Sequence, residues 1–168
     1  MNDHPFAYHI IFHTYGSRLH GDEKGSVDRI NNIYGTPAIP YQPRLVRYEE
    51  SLLKNSLYEL DGMRRRLVLE AIVEVCKNRE WRLHVAHIRT THVHVMVSGN
   101  CEPEKIMHDF KAYASRKLNG LKVDDEGIKR WSRHGITKYV WTADEAERVA
   151  SYILYEQGDP MEIFINNE

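Results

Sequence analysis

Two histidines alternate with valines in the middle of the chain, within the stretch Thr91–Val97 (THVHVMV). Successive side chains of a strand point to opposite faces, so the valines share one face and His92, His94 and Met96 share the other. Two neutral imidazoles side by side can bind one divalent cation, with solvent or a carboxylate completing its coordination. The simpler interpretation is that two surface histidines alternate by chance.

Other histidines give weaker signals. His9 and His13 share a face of an expected strand near the start of the chain, from which they could approach the pair. His84 and His87 are expected on opposite faces of their strand, so both cannot join the same site.

A tyrosine and two oxygen-bearing side chains lie at the end of the last predicted helix. Tyr152 and Glu156 are four residues apart and share a helix face, and Gln157 follows directly. A tyrosine hydroxyl can attack phosphorus when a metal ion withdraws charge from the phosphate and a neighbouring group takes the proton. Two alternatives stay open: Tyr152 only packs, or another tyrosine serves, namely Tyr113, Tyr139 or Tyr155.

The apolar periodicity predicts the elements that would position these residues. Strands are expected over 7–14, 81–88, 91–98 and 136–141, and helices over 62–78, 102–120 and 143–157. A long loop or insertion spans about 16–55, with a short helix expected over Ser51–Leu57. Without that loop and the last helix, the order is β-α-β-β-α-β. This predicts an α+β, split ferredoxin-like fold, in which a four-stranded antiparallel sheet carries helices on one face and a C-terminal helix follows.

Composition limits the class of protein. The chain has 168 residues and 19.7 kDa, 42% hydrophobic and 28% charged, which predicts a single globular domain over 1–168. No apolar run is long enough to span a bilayer, and the N-terminus does not have the pattern of a secretory signal. Two cysteines are too few for a disulfide framework. We therefore expect a cytoplasmic protein with no membrane partner.

Charge is unevenly distributed although the net charge is only −1. Residues 60–141 contain sixteen Lys and Arg against ten Asp and Glu, whereas residues 142–168 contain one against seven. Basic stretches are more often solvated surfaces than binding sites. The distribution is therefore compatible with a nucleic-acid partner but does not by itself indicate one.

The ordered set of motifs resembles the single-tyrosine HUH transposases of the insertion sequence 200/605 type, which include the REP-associated tyrosine transposases. The resemblance covers nearly the whole chain and implies the same fold, with the tyrosine on the final helix. The matching stretches are Tyr8-His9, Thr14-Tyr15-Gly16, Leu19-His20-Gly21-Asp22, 91–97, 111–119 (KAYASRKLN), 131–135 (WSRHG) and 152–158 (YILYEQG).

The resemblance implies a reaction and a site. In that family the tyrosine hydroxyl attacks a DNA phosphodiester, which leaves a 5′-phosphotyrosine link and a free 3′-OH. Carried over here, Tyr152 is the catalytic nucleophile, and His92 and His94 bind Mg²⁺ or Mn²⁺. The family's third ligand is an amide side chain four residues after the tyrosine. This sequence has Glu156 at that place and Gln157 one residue later, so both stay open as the third ligand.

The resemblance also implies single-stranded or hairpin DNA as the partner, and a homodimer is compatible with it. Trp131 or Tyr139 could stack on a base. Two alternatives remain: a domesticated DNA-binding relative without transposition activity, and a metallohydrolase that adds His84 or His9 to the histidine pair. The expected phosphate contacts are Lys111, Arg116, Lys117, Arg130, Arg133 and Lys138.

Overall fold

A computed structural model describes residues 4–19 and 39–167 of the chain. Most of the expected insertion, residues 20–38, lies outside the described residues, as does the motif His20-Gly21-Asp22. Within the described residues, the elements in chain order are β1 (Ala7–Thr14), α1 (Pro43–Leu52), α2 (Gly62–Arg79), β2 (Arg82–Ile88), β3 (His92–Ser98), α3 (Pro103–Gly120), β4 (Trp131–Val140), α4 (Ala143–Tyr155) and β5 (Glu162–Ile165).

The five strands form one sheet in the order β4-β1-β3-β2-β5, and every neighbouring pair is antiparallel. The four predicted strands are all present, so the antiparallel α+β prediction is confirmed in its coarse form. The expectation of only four strands is wrong, because β5 pairs with the outer edge of β2. Its four residues are too few to give a recognisable alternation in the sequence.

Helices cover both faces of the sheet. On one face, here called the core face, α2 and α3 pack against alternate strand residues that include Val93, Val95 and Val97, all fully buried. On the other face, α4 packs through Ala146 and Ile153. The two families of side chains on β3 are therefore separated as the sequence alternation predicts.

Two elements differ from the sequence-based expectations by more than two residues at a boundary. The short helix expected over Ser51–Leu57 is wrong, since the helix occupies Pro43–Leu52. Strand β4 begins at Trp131 rather than Ile136, because its polar first half pairs with the end of β1 through a bulge. Lys111 of α3 donates hydrogen bonds to two main-chain carbonyls of that half, which stabilises a stretch that has Trp131 as its one strong strand former.

Helix α2 begins where its sequence predicts. The Asp61 side chain accepts a hydrogen bond from the main-chain N–H of Arg64 at 2.8 Å, as an N-cap residue does. Among the described residues, no helix combines the length with the apolar character that a membrane crossing requires.

Gly135 lies where β4 packs tightly against β1 and α3. A methyl group added at this position would overlap the sulfur of Met107 and would lie 2.5 Å from the carbonyl oxygen of Ile11. We expect Gly135→Ala to lower the free energy of unfolding by about 1–3 kcal/mol, because main-chain atoms must move to make room.

Gly120, at the end of α3, is the matched control because nothing lies within 4 Å of a methyl group there. Urea unfolding followed by circular dichroism measures both variants. Equal stabilities of Gly135→Ala and Gly120→Ala would contradict the close approach of β4 to β1 and α3.

Candidate active site

The pairing of β1 with β3 brings four histidines to one face of the sheet. The antiparallel register sets His13 opposite His92 and Ile11 opposite His94, so odd-numbered β1 side chains meet even-numbered β3 side chains. The imidazole rings of His13 and His92 stack at 5.7 Å between centroids, and those of His9 and His94 stack at 5.4 Å. We call this surface the histidine face.

Two of these imidazoles are almost completely removed from water. His9 is 2% exposed and His94 is 3% exposed. Burial lowers the pKa of His94 to about 2, helped by the neighbouring His92, and lowers the pKa of His9 to about 4, helped by the ammonium group of Lys138. Both rings are therefore uncharged at neutral pH, which is the form that binds metal ions.

His9 and His94 also share a hydrogen bond. Nε2 of His9 lies 3.1 Å from Nδ1 of His94, within the buried region. A polar atom in such a place needs a partner, and each ring supplies one for the other. His9 was only a weak candidate in the sequence, because its partnership with His94 depends on cross-strand register.

Helix α4 covers the histidine face and carries the tyrosine. Its first turn is capped by Thr142, whose side chain accepts a hydrogen bond from the N–H of Glu145 at 3.2 Å. Ala146 and Ile153 pack into a cluster with Met96 and other apolar residues of the sheet. This packing fixes which side of the helix faces the sheet.

The ring of Tyr152 consequently lies edge-on to the buried histidines. Its centroid is 5.9 Å from that of His94 and 6.1 Å from that of His9. The side chain is still 41% exposed. It thus contacts the buried imidazoles on one side and remains accessible to a ligand on the other.

The other tyrosines lie elsewhere. Tyr113 is on α3, which packs against the core face. Tyr139 contacts Tyr8, also a core-face residue, at 5.3 Å. Tyr155 projects into solvent with 76% of its surface exposed. Of the four tyrosines that the sequence left open, Tyr152 is the one whose ring contacts the histidines.

His87 anchors the end of α4, a role that the sequence did not indicate. Its Nδ1–H donates to the carbonyl oxygen of Ile153 at 2.9 Å, and its Nε2 accepts from the N–H of Met161 at 3.2 Å. The ring is fully buried beside His94 in the neighbouring strand. The first bond ties the turn that contains Tyr152 to β2, and the second ties β2 to the residue just before β5. His84 is engaged differently, with Nε2 at 2.6 Å from the Ser98 hydroxyl.

The two possible third ligands differ in their placement. The Gln157 amide folds back on the helix, where its Nε2 lies 3.4 Å from the carbonyl oxygen of Tyr152. Glu156 is exposed, and in the part of the chain that is described no three or more His, Cys, Asp or Glu side chains are arranged to hold a metal ion. The rings of His92 and His94 lie 5.1 Å apart between centroids, and a cation shared between them would take its remaining ligands from side-chain or solvent oxygens.

The six basic residues expected to contact phosphate do not form one patch. Lys138 stands opposite His9 across the β1–β4 pair, so it lies exposed on the histidine face. Arg133 is exposed on the same strand. Arg116 lies over the Tyr113 ring at 4.4 Å, and Lys117 pairs with two glutamates of α2.

The remaining two basic residues are held inside the fold. Arg130 is 7% exposed and forms an ion pair with Asp124 at 3.0 Å. Lys111 donates to two carbonyls of β4, and burial lowers its pKa to about 8. The Trp131 indole packs edge-on to Phe12 and donates to the carbonyl of Lys111, so it too supports the fold. The ring of Tyr139, by contrast, is exposed and stacks on that of Trp141.

Comparisons with known proteins give a matching family and similar solved structures. A family model described as "Transposase IS200 like" matches residues 45–155. A solved REP-associated tyrosine transposase, bound to a REP hairpin, matches with 11% sequence identity and a TM-score of 0.48. That match covers 89% of this chain and 65% of the other, so this chain spans less than two thirds of that protein. No curated protein matches the sequence.

Acidification should destabilise the metal-free protein. The pKa values of His9 and His94 are lower in the folded protein than the ordinary 6.5, so the unfolded chain takes up protons first as the pH falls. Stability is therefore highest above pH 6.5 and is lost below it, by about 2 kcal/mol per imidazole at pH 5.

Urea unfolding in the presence of a chelator, between pH 7 and pH 5, measures this loss. His9→Gln should reduce it by about 2 kcal/mol, whereas His108→Gln, which changes an exposed histidine of α3, should leave it intact. The same loss of stability in His9→Gln as in the unmodified protein would contradict the low pKa of His9 in the folded protein.

Proposed function

The chain belongs to the family of IS200-like transposases, and we propose that it cleaves and rejoins DNA through a covalent bond between Tyr152 and a 5′-phosphate. The position of Tyr152 against two buried, uncharged imidazoles is the observation that supports this best. In this proposal residues 1–168 form one HUH nuclease domain of the split ferredoxin-like type.

The proposed reaction is a transesterification. The Tyr152 hydroxyl oxygen forms a bond to phosphorus, and the bond from phosphorus to the 3′ oxygen breaks. The phenol proton passes to a base, and the departing 3′ oxygen takes up a proton and becomes a free 3′-OH. Because one phosphodiester replaces another, a 3′-OH can attack the phosphotyrosine link and restore the DNA strand without an external energy source.

We propose that His92 and His94 bind Mg²⁺ or Mn²⁺ beside Tyr152. A bound cation would withdraw negative charge from the phosphate that is attacked. For the third protein ligand we favour Gln157, because its amide lies against the last turn of α4 next to Tyr152. Glu156 remains the alternative, and a carboxylate there would bind the ion more strongly.

DNA is the proposed substrate, in single-stranded or hairpin form. Lys138 supports this best, because it is exposed on the histidine face next to His9 and can meet a phosphate close to Tyr152. Arg133 extends the positive charge along the same strand. The exposed ring pair of Tyr139 and Trp141 offers a surface on which bases can stack, but Tyr139 points to the core side of the sheet, so such bases would lie past the edge strand β4 and not next to Tyr152. Arg116 and Lys117 of α3 would contact DNA only beyond this site.

A histidine-based metallohydrolase is the competing function, because His9 adds a third imidazole next to His94. Such an enzyme would use water as its nucleophile and would form no covalent intermediate. The hydrogen bond between the two rings occupies one nitrogen of each, which favours a supporting role for His9 over a role as a ligand.

Replacement of Tyr152 by Phe separates these functions. Oligonucleotides from the DNA that flanks the gene, labelled at the 3′ end, are incubated with the protein and Mn²⁺ and run on a denaturing gel. We expect a metal-dependent protein–DNA adduct that falls by at least about 10³-fold in Tyr152→Phe, because the attacking atom is absent. A 5′ label should not travel with the protein.

Tyr155→Phe is the matched control, because it removes a hydroxyl from an exposed tyrosine on the next turn and should keep the adduct. Undiminished cleavage by Tyr152→Phe would indicate the metallohydrolase. Tight DNA binding without any adduct in the unmodified protein would indicate a binding-only relative.

The third ligand is tested by the Mn²⁺ concentration that gives half-maximal adduct. We expect Gln157→Ala to raise it by on the order of tenfold, as the loss of one ligand worth about 1.4 kcal/mol would. Glu156→Ala should leave it nearly unchanged. If Glu156→Ala raised this Mn²⁺ concentration more than Gln157→Ala did, the third ligand would be the carboxylate of Glu156.

A further inference from the structure

His9 is a buried polar residue that the proposed reaction does not use directly. It lies on β1, whereas the proposed metal-binding histidines lie on β3 and the nucleophile lies on α4. Its ring is stacked on His94 and lies edge-on to Tyr152, with almost no exposure to solvent. His9 therefore contacts both a proposed metal ligand, His94, and the proposed nucleophile, Tyr152.

The hydrogen bond between the two rings determines which nitrogen of His94 can bind a metal ion. Nδ1 of His94 lies 3.1 Å from Nε2 of His9, so a cation can be bound only through Nε2 of His94. That nitrogen has a free electron pair only if the proton of the ring is on Nδ1. The proton must then be donated from Nδ1 of His94 to Nε2 of His9.

We infer that His9 is a positioning residue for His94. Its Nε2 accepts the Nδ1–H of His94, which fixes the tautomer of that ring and directs the Nε2 electron pair toward the metal site. Proteins commonly orient metal-binding histidines in this way, through an acceptor behind the ring, and loss of the acceptor typically weakens metal binding by about 10–100-fold. The inference rests on the proposed function, because it assumes that His94 binds the ion.

The geometry supports positioning over simple packing. An apolar residue of similar size could fill the space beside His94, but it would leave Nδ1 of a 3%-exposed ring without an acceptor. The residues paired with His9 are Met96 on β3 and Lys138 on β4. A thioether is a weak acceptor and an ammonium group accepts no hydrogen bond, so neither can replace the imidazole.

The tautomer of His94 can be measured directly in the metal-free protein by nitrogen-15 NMR of the imidazole rings. We expect His94 to carry its proton on Nδ1 in the unmodified protein. In His9→Gln the side-chain amide oxygen takes the place of Nε2 and should preserve this tautomer. His9→Phe keeps the ring shape without an acceptor, so His94 should shift toward the Nε2–H form.

Calorimetric titration with Mn²⁺ provides the second readout. We expect His9→Phe to bind Mn²⁺ about 10–100-fold more weakly than the unmodified protein, and His9→Gln to recover most of the affinity. His108→Phe, which makes the same substitution at an exposed site of α3, should bind normally. Thermal unfolding of each variant identifies any general loss of structure.

Two results would overturn the role of His9: a proton on Nε2 of His94 in the unmodified protein, or equal Mn²⁺ affinities of His9→Phe and the unmodified protein. Absence of Mn²⁺ binding in the unmodified protein would instead overturn the proposed metal site. The NMR measurement would still decide whether His9 fixes the tautomer of His94.

Discussion

The antiparallel register between β1 and β3 is the constraint on which the rest of the structure depends. It sets His13 opposite His92 and stacks His9 on His94, so four imidazoles share one face. A slip of β3 by one residue would turn the rings of His92 and His94 toward α2 and α3 and would turn the valines of β3 to the other face. The valines are fully buried, so the hydrophobic core itself maintains the register that the polar site requires.

Helix α4 converts this row of histidines into an enclosed site. Its apolar side packs against Val85, Met96 and Val140, and His87 ties its last turn to β2. The cover removes water from His9 and His94, which is why their pKa values lie far below the ordinary value. The same packing that stabilises the helix therefore keeps the imidazoles uncharged and brings the ring of Tyr152 to them.

Much of this arrangement could be predicted from local patterns. The alternation in 91–97 separates the histidines from the valines, and the apolar periodicity predicts the last helix, which carries Tyr152. Features that depend on contacts distant in the sequence could not be predicted. The hydrogen bond of His9 with His94 joins residues 85 apart, and that of His87 with Ile153 joins residues 66 apart. The number of basic residues in the sequence does not predict which of them can contact phosphate, for a related reason. Arg130 and Lys111 are cations whose partners lie inside the fold.

The identity of the amino acid that carries DNA tests the central claim most directly. After reaction with a cleavable oligonucleotide and Mn²⁺, the protein is digested with nuclease and protease, and the nucleotide-bearing peptide is sequenced by tandem mass spectrometry. We expect a single modified residue, Tyr152, with the nucleotide joined through its 5′-phosphate. A nucleotide on Tyr155, Tyr139 or Tyr113, or attachment through a 3′-phosphate, would contradict the assignment of the histidine face and α4 as the active site.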